Sequence, residues 1–175
     1  MSTLHVENLK GPTTGANANK IIVPSGQTLV APEAVVKRSR VFLNNAESTT
    51  STSFTDAAGG SINFACDFSD STVYVYVQIM ASGKGSVRIM ADATDITNVT
   101  SSFMWYSSAS QTSAFSGSPR QIASWIEIHE PSSTSSITYK LQYRSHSNNN
   151  ANAFGINELF ANSNWSYIEC VEIKA

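Results

Sequence analysis

The chain has 175 residues and a formal net charge of -2, and it is 41% hydrophobic but only 14% charged. That length fits one domain with a real core plus an appendage. The charge offers no basic stripe for nucleic acid, and no apolar run reaches the roughly 18 residues that a membrane-spanning helix needs.

Ser, Thr and Asn supply roughly a third of the residues, which predicts a neutral, hydrogen-bonding surface. The opening "MSTLHVENLK" has neither a basic start nor an apolar core, so no signal peptide is expected and synthesis in a cytoplasm is. Leu4, Val6 and Leu9 are followed by Ile21, Ile22 and Val23, which run into Pro24; Leu29 and Val30 then meet Pro32. This is too little apolar surface for an independent core, and the two prolines with Gly26 exclude a continuous coiled coil. The prediction is an extended N-terminal arm over residues 1 to 34, buried against copies of itself or a larger partner, ahead of a head over residues 35 to 175.

In the head, helical periodicity is nearly absent and two-residue alternation recurs. The basic cluster Lys37-Arg38-Ser39-Arg40 reads as a solvated strand or, alternatively, a short polyanion contact. Ile62, Phe64, Cys66 and Phe68 alternate, as do Val87 and Ile89, and Ile137, Tyr139, Leu141 and Tyr143. Ser/Thr/Asn/Gly clusters separate these runs, a pattern of an all-β antiparallel sandwich, most simply a jelly roll. "TVYVYVQIM" sets Val73, Val75, Val77 and Ile79 on one side and Tyr74, Tyr76 and Met80 on the other; "QIASWIEIHE" sets Ile122, Ile126 and Ile128 against Trp125. A lone sandwich leaves one side of each strand polar. The second apolar side therefore predicts either a crossing loop or a subunit interface through Tyr74, Tyr76, Met80 and Trp125.

Cys66 and Cys170 each sit in an apolar pattern and are expected to be buried and reduced. No nucleophile elbow, phosphate loop or zincin motif is present, and the three histidines are far apart, so no catalytic residue, metal or cofactor is expected. Glu127 with His129 lacks a third metal ligand, Asp92 with Asp95 lacks the oxygens of a calcium cage, and Asn98 and Asn164 head glycosylation triplets that mean little without a secretory signal. An enzymatic reading would rest on Glu127 or Glu158. Two long polar loops suit hydrogen bonding to neutral ligands or are plain solvated connections: residues 106 to 120, with Tyr106, Phe115 and Arg120, and residues 144 to 155, with Arg144, His146, Asn148, Asn149 and Asn150.

The opening 32 residues, and above all the phrase "IIVPSGQTL" from Ile21 to Leu29, resemble the start of tail-fibre-like virion surface proteins of tailed bacteriophages, especially marine ones. The ending "WSYIECVEIKA" looks like the last strand of their globular heads. The resemblance implies a homotrimeric, non-enzymatic virion protein whose arm grips other virion proteins. It further implies a jelly-roll head, similar to tumour-necrosis-factor-like heads, that meets a host glycan or envelope protein. No binding residues carry over from it. Because the repetitive shaft of such fibres is missing, a capsid decoration or head-fibre protein that stabilises the shell is the alternative.

Overall fold

The computed structural model describes residues 14, 33–82, 85–97, 120–145, 154–156 and 165–174, and the chain divides into two compact units, Met1–Ala31 and Pro32–Ala175. The arm residues Leu4, Val6, Leu9, Ile21, Ile22, Val23, Leu29 and Val30 lie outside the described residues.

Among the described residues the second unit has ten strands: β1 (Val35–Phe42), β2 (Glu47–Thr49), β3 (Thr55–Phe64), β4 (Thr72–Ser82), β5 (Gly85–Ala91), β6 (Thr94–Asp95), β7 (Arg120–His129), β8 (Ile137–Ser145), β9 (Phe154–Ile156) and β10 (Tyr167–Ile173). They form two antiparallel sheets. The first runs β1-β10-β4 and continues to β7 on the far side of β4; the second runs β3-β8-β5-β6. First pairing with last and the next pairs nesting inside, across two sheets, is the strand order of a jelly roll. The all-β sandwich expected from alternation is the fold found.

Short β9 follows β10 along the same edge of β4, pairing with Ala81 and Ser82, and brings β2 with it. Between the two, no described strand lies opposite the Met80 N–H, and the Ser166 hydroxyl accepts it at 2.9 Å. Such a bond keeps a buried main-chain donor satisfied where the ladder breaks.

The core fills from alternate residues of both sheets, as the pleat dictates. Val73, Val75, Val77 and Ile79 of β4 meet Ile62 and Phe64 of β3, Val87 and Ile89 of β5, Tyr139, Leu141 and Tyr143 of β8, and Ile168 and Cys170 of β10. Cys66 and Cys170 are free and buried, and burial pushes their thiols up to about 11 and about 12.

β3 bulges between Asp56 and Ser61, where Gly59 takes a φ of 72° that side chains other than glycine's rarely adopt. A Cβ on neighbouring Gly60 would come within 3.1 Å of the Ala57 Cβ and 3.4 Å of the Leu141 Cβ. Gly60→Ala is therefore expected to lower stability by about 1–3 kcal/mol, the usual cost of overpacking, measurable as a reduced urea midpoint.

A polar tie crosses the sandwich between β7 and β8. His129 Nδ1 lies 2.7 Å from the Tyr139 hydroxyl, with the rings edge to face. Burial lowers the pKa of His129, and the nearby Asp92 carboxylate opposes this only partly. A histidine with a depressed folded pKa contributes stability that is present above its unfolded value near 6.5 and is lost as pH falls through the folded one. Between pH 7.5 and 5.5 the thermal midpoint of the native protein should fall more than that of His129→Asn, which cannot titrate.

Candidate functional site

The two sheets present unlike outer faces. On the first sheet, antiparallel pairing aligns residues into rows across the strands: Phe42, Tyr167, Gln78 and Ser124; Arg40, Glu169, Tyr76 and Ile126; Arg38, Val171, Tyr74 and Ile128. Met80 and Ile122 make a further pair. From β10 to β7 the face is therefore mostly aromatic and aliphatic. Its isoleucines stand in the open, Ile122 being 53%, Ile126 50% and Ile128 49% exposed. Tyr76, Ser124, Ile126 and Tyr167 line a shallow depression in it.

The β1 margin of that face is different. Glu169 is nearly buried and takes Arg38 Nε at 2.8 Å on one carboxylate oxygen and Arg40 at 2.6 Å on the other. Arg40 also stacks 4.3 Å from the centre of the Tyr167 ring. The basic cluster of β1 is thus occupied within the sheet, as a charged border to an apolar field.

The outer face of the second sheet is polar. Asp56 lies against Lys140 at 3.0 Å and Gln142 at 2.5 Å, while Thr138 donates to Asn63 at 2.8 Å. The Lys140 and Gln142 contacts pull the Asp56 carboxyl below its ordinary pKa, the Gln142 hydrogen bond contributing most. Arg88 and Arg144 project from the same face over Phe54.

Tyr74, Tyr76 and Met80 occur together on the outer face of the first sheet. Trp125 does not join them. It pairs with Val77 on the inner side and packs against the core, so the isoleucines of β7, expected to be internal, are the ones turned outward. The reason is register: with both sides of β7 apolar, only its pairing with β4 selects the buried one. Glu127 shares the inner side and is buried, and His129 is engaged with Tyr139. Asp92 and Asp95 brace the β5–β6 turn, accepting the Thr138 and Thr97 N–H groups. Among the described residues no three His, Cys, Asp or Glu side chains come together as a metal centre would require, and no helix is long and apolar enough to cross a membrane. Of the loop candidates, Arg144 ends β8 on the second sheet, Arg120 begins β7 with its side chain outside the described residues, and Tyr106, Phe115, His146, Asn148, Asn149 and Asn150 lie outside them altogether.

Sequence reasoning missed the buried carboxylates Glu169 and Glu172, since nothing local marks either one. The isoleucines of β7 were visible as a set, opposite the Trp125 side through which the interface was drawn.

No family model matches the sequence, and no curated protein matches it. Solved structures with partial similarity include capsid proteins of infectious bursal disease virus. A mutant VP2 from derived T=1 particles has a TM-score of 0.43 and 9% identity, with 93% of this chain covered and 44% of that one. A second structure of T=1 particles of that virus has a TM-score of 0.39 and 9% identity, with 91% and 41% covered. The chain thus spans less than half the length of these capsid proteins, and its jelly-roll assignment rests on its own strand order.

Proposed function

We propose that this protein is a non-enzymatic structural protein of a bacteriophage virion, a short homotrimeric surface appendage held by its N-terminal arm and exposing its β-rich head for host attachment. The observation that carries the reading is the asymmetry of the sandwich. One outer face is polar, as a solvated surface should be, and the other presents Ile122, Ile126 and Ile128 in the open beside half-buried Tyr74, Tyr76 and Val171.

The size of that face supports copy-on-copy burial. Four strands at about 4.8 Å spacing, each about eight residues long at about 3.3 Å per residue, cover on the order of 500 Å² in projection. Side-chain relief brings this toward the ~800 Å² per partner of stable protein interfaces. Tyrosine, methionine and arginine are also the residues such interfaces favour. The arm phrase Ile21–Leu29 is what points to a virion rather than to any other assembly.

Two measurements test the reading. Sedimentation equilibrium of the full chain is expected to give three copies, and a stable monomer would remove the assembly claim. Immunogold labelling of the parent particle is expected to place the protein at the tail. A regular lattice of label over the head would make it a capsid decoration protein instead, and unlabelled particles would remove the virion role.

A further inference from the structure

We infer that the outer face of the second sheet carries a binding site for the carboxylate of an acidic saccharide, centred on Arg144, Arg88 and Phe54. This gives a ligand chemistry to the attachment role proposed above, but the site belongs to the head by itself.

Pairing of β5 with β8 sets Arg88 opposite Gln142 and Ser86 opposite Arg144, so the two arginines are diagonal neighbours on one face. Both guanidiniums lie against the same ring, the Arg88 Cζ 4.2 Å and the Arg144 Cζ 4.6 Å from the centre of Phe54. Stacking on a ring holds a guanidinium flat without using its N–H groups, which lie in its own plane and point sideways.

The two arginines differ in what those donors meet. Arg88 bonds Gln142 at 2.7 Å and reaches Asp95 at 3.4 Å. Arg144 finds no acceptor among the described residues; its contact is the ring of Phe54. Around them, the cations Arg88, Lys140 and Arg144 stand against two carboxylates, Asp56 and Asp95. Two like charges are thus gathered at one ring, and among the described residues one of them has no carboxylate partner. A carboxylate matches the planar fork of a guanidinium and would relieve that repulsion.

The surplus of a single positive charge among the described residues here, on a chain of net charge -2, selects the ligand further. A densely charged polymer needs a run of cations, whereas this site accommodates one anionic group. Gln142 and Asp56 adjoin them, and the Thr138–Asn63 pair lies further along the same face beyond Lys140, donors and acceptors suited to sugar hydroxyls. One carboxylate beside neutral hydroxyls describes a uronic- or sialic-type sugar.

Isothermal titration of the full-length protein with the methyl glycoside of galacturonic acid, its methyl ester and sodium acetate tests this. The acidic glycoside is expected to bind in the millimolar range or tighter, with the neutral ester and acetate each at least about tenfold weaker. Arg144→Gln should weaken the acidic sugar by about tenfold or more at an unchanged melting midpoint, and Arg144→Lys, which keeps charge without the fork, should restore only part of it. Equal binding of the ester, undiminished binding by Arg144→Gln, or no heat up to about 10 mM sugar would overturn the inference. Acetate binding as well as the sugar would overturn its saccharide part. A protein that assembles and labels on particles but fails this titration loses only the inference, since assembly and location are read separately.

Discussion

Replacing Ile126 by lysine is expected to leave a folded monomer and abolish the proposed assembly of the native chain. Ile126 lies in the central row of the apolar face, beside Tyr76, and is half exposed in the single chain. Its side chain points away from the core, so a lysine there can extend its ammonium into water and leave the sandwich intact. In an assembly the same ammonium would be buried without a partner, which is strongly unfavourable. Central interface residues typically cost 2 kcal/mol or more when disrupted, so association should weaken by about thirtyfold at least. Sedimentation reads the loss, and the far-ultraviolet spectrum and melting midpoint check that the fold survives. Thr138→Lys on the opposite face serves as the control and should assemble normally. Native-like assembly of Ile126→Lys, with the control unaffected, would show that copies meet elsewhere.

Glu172→Ala is expected to have the largest effect on the stability of the head, on the order of 3 kcal/mol. Glu172 is fully buried on β10, and its carboxylate accepts the Asp67 N–H at 2.9 Å and the Phe68 N–H at 3.1 Å. Those donors belong to the connection from β3 to β4, which has no strand ladder to satisfy them. Lys37 secures the same connection, donating to the Ala65 carbonyl at 2.9 Å and to Asp67 at 3.3 Å. Hydrogen bonds to charged groups contribute about 1.5–3 kcal/mol each, and truncation also leaves buried N–H groups unpaired. Urea unfolding should show a lower midpoint at an unchanged slope, with Glu172→Gln, which retains one carbonyl acceptor, falling between. A midpoint within experimental error of the native one would mean that the connection holds without this carboxylate.

Both predictions depend on residues whose importance differs from what their local sequence announces. Alternation in "TVYVYVQIM", "SINFACDF" and "SITYKLQY" is a local property of an extended chain, and it determined by itself that this is an all-β sandwich. It also determined which residues of each strand share a side and that β4 has two apolar sides. Alternation has no sign, however: it says that Trp125 and the isoleucines of β7 oppose one another, not which of them meets the core. Pairing of Trp125 with Val77 decided that, because register fixes a whole strand at once. The carboxylates were hidden for a related reason. Glu169 depends on Arg38 and Arg40, 131 and 129 positions away, and Glu172 on a turn more than 100 positions away. The β5–β8 pairing that gathers Arg88 and Arg144 at Phe54 is equally nonlocal. Strand content and sidedness follow from steric alternation within a few residues. Which sides face inward, which charges are neutralised and which cation is left over follow only from closing the two sheets on each other.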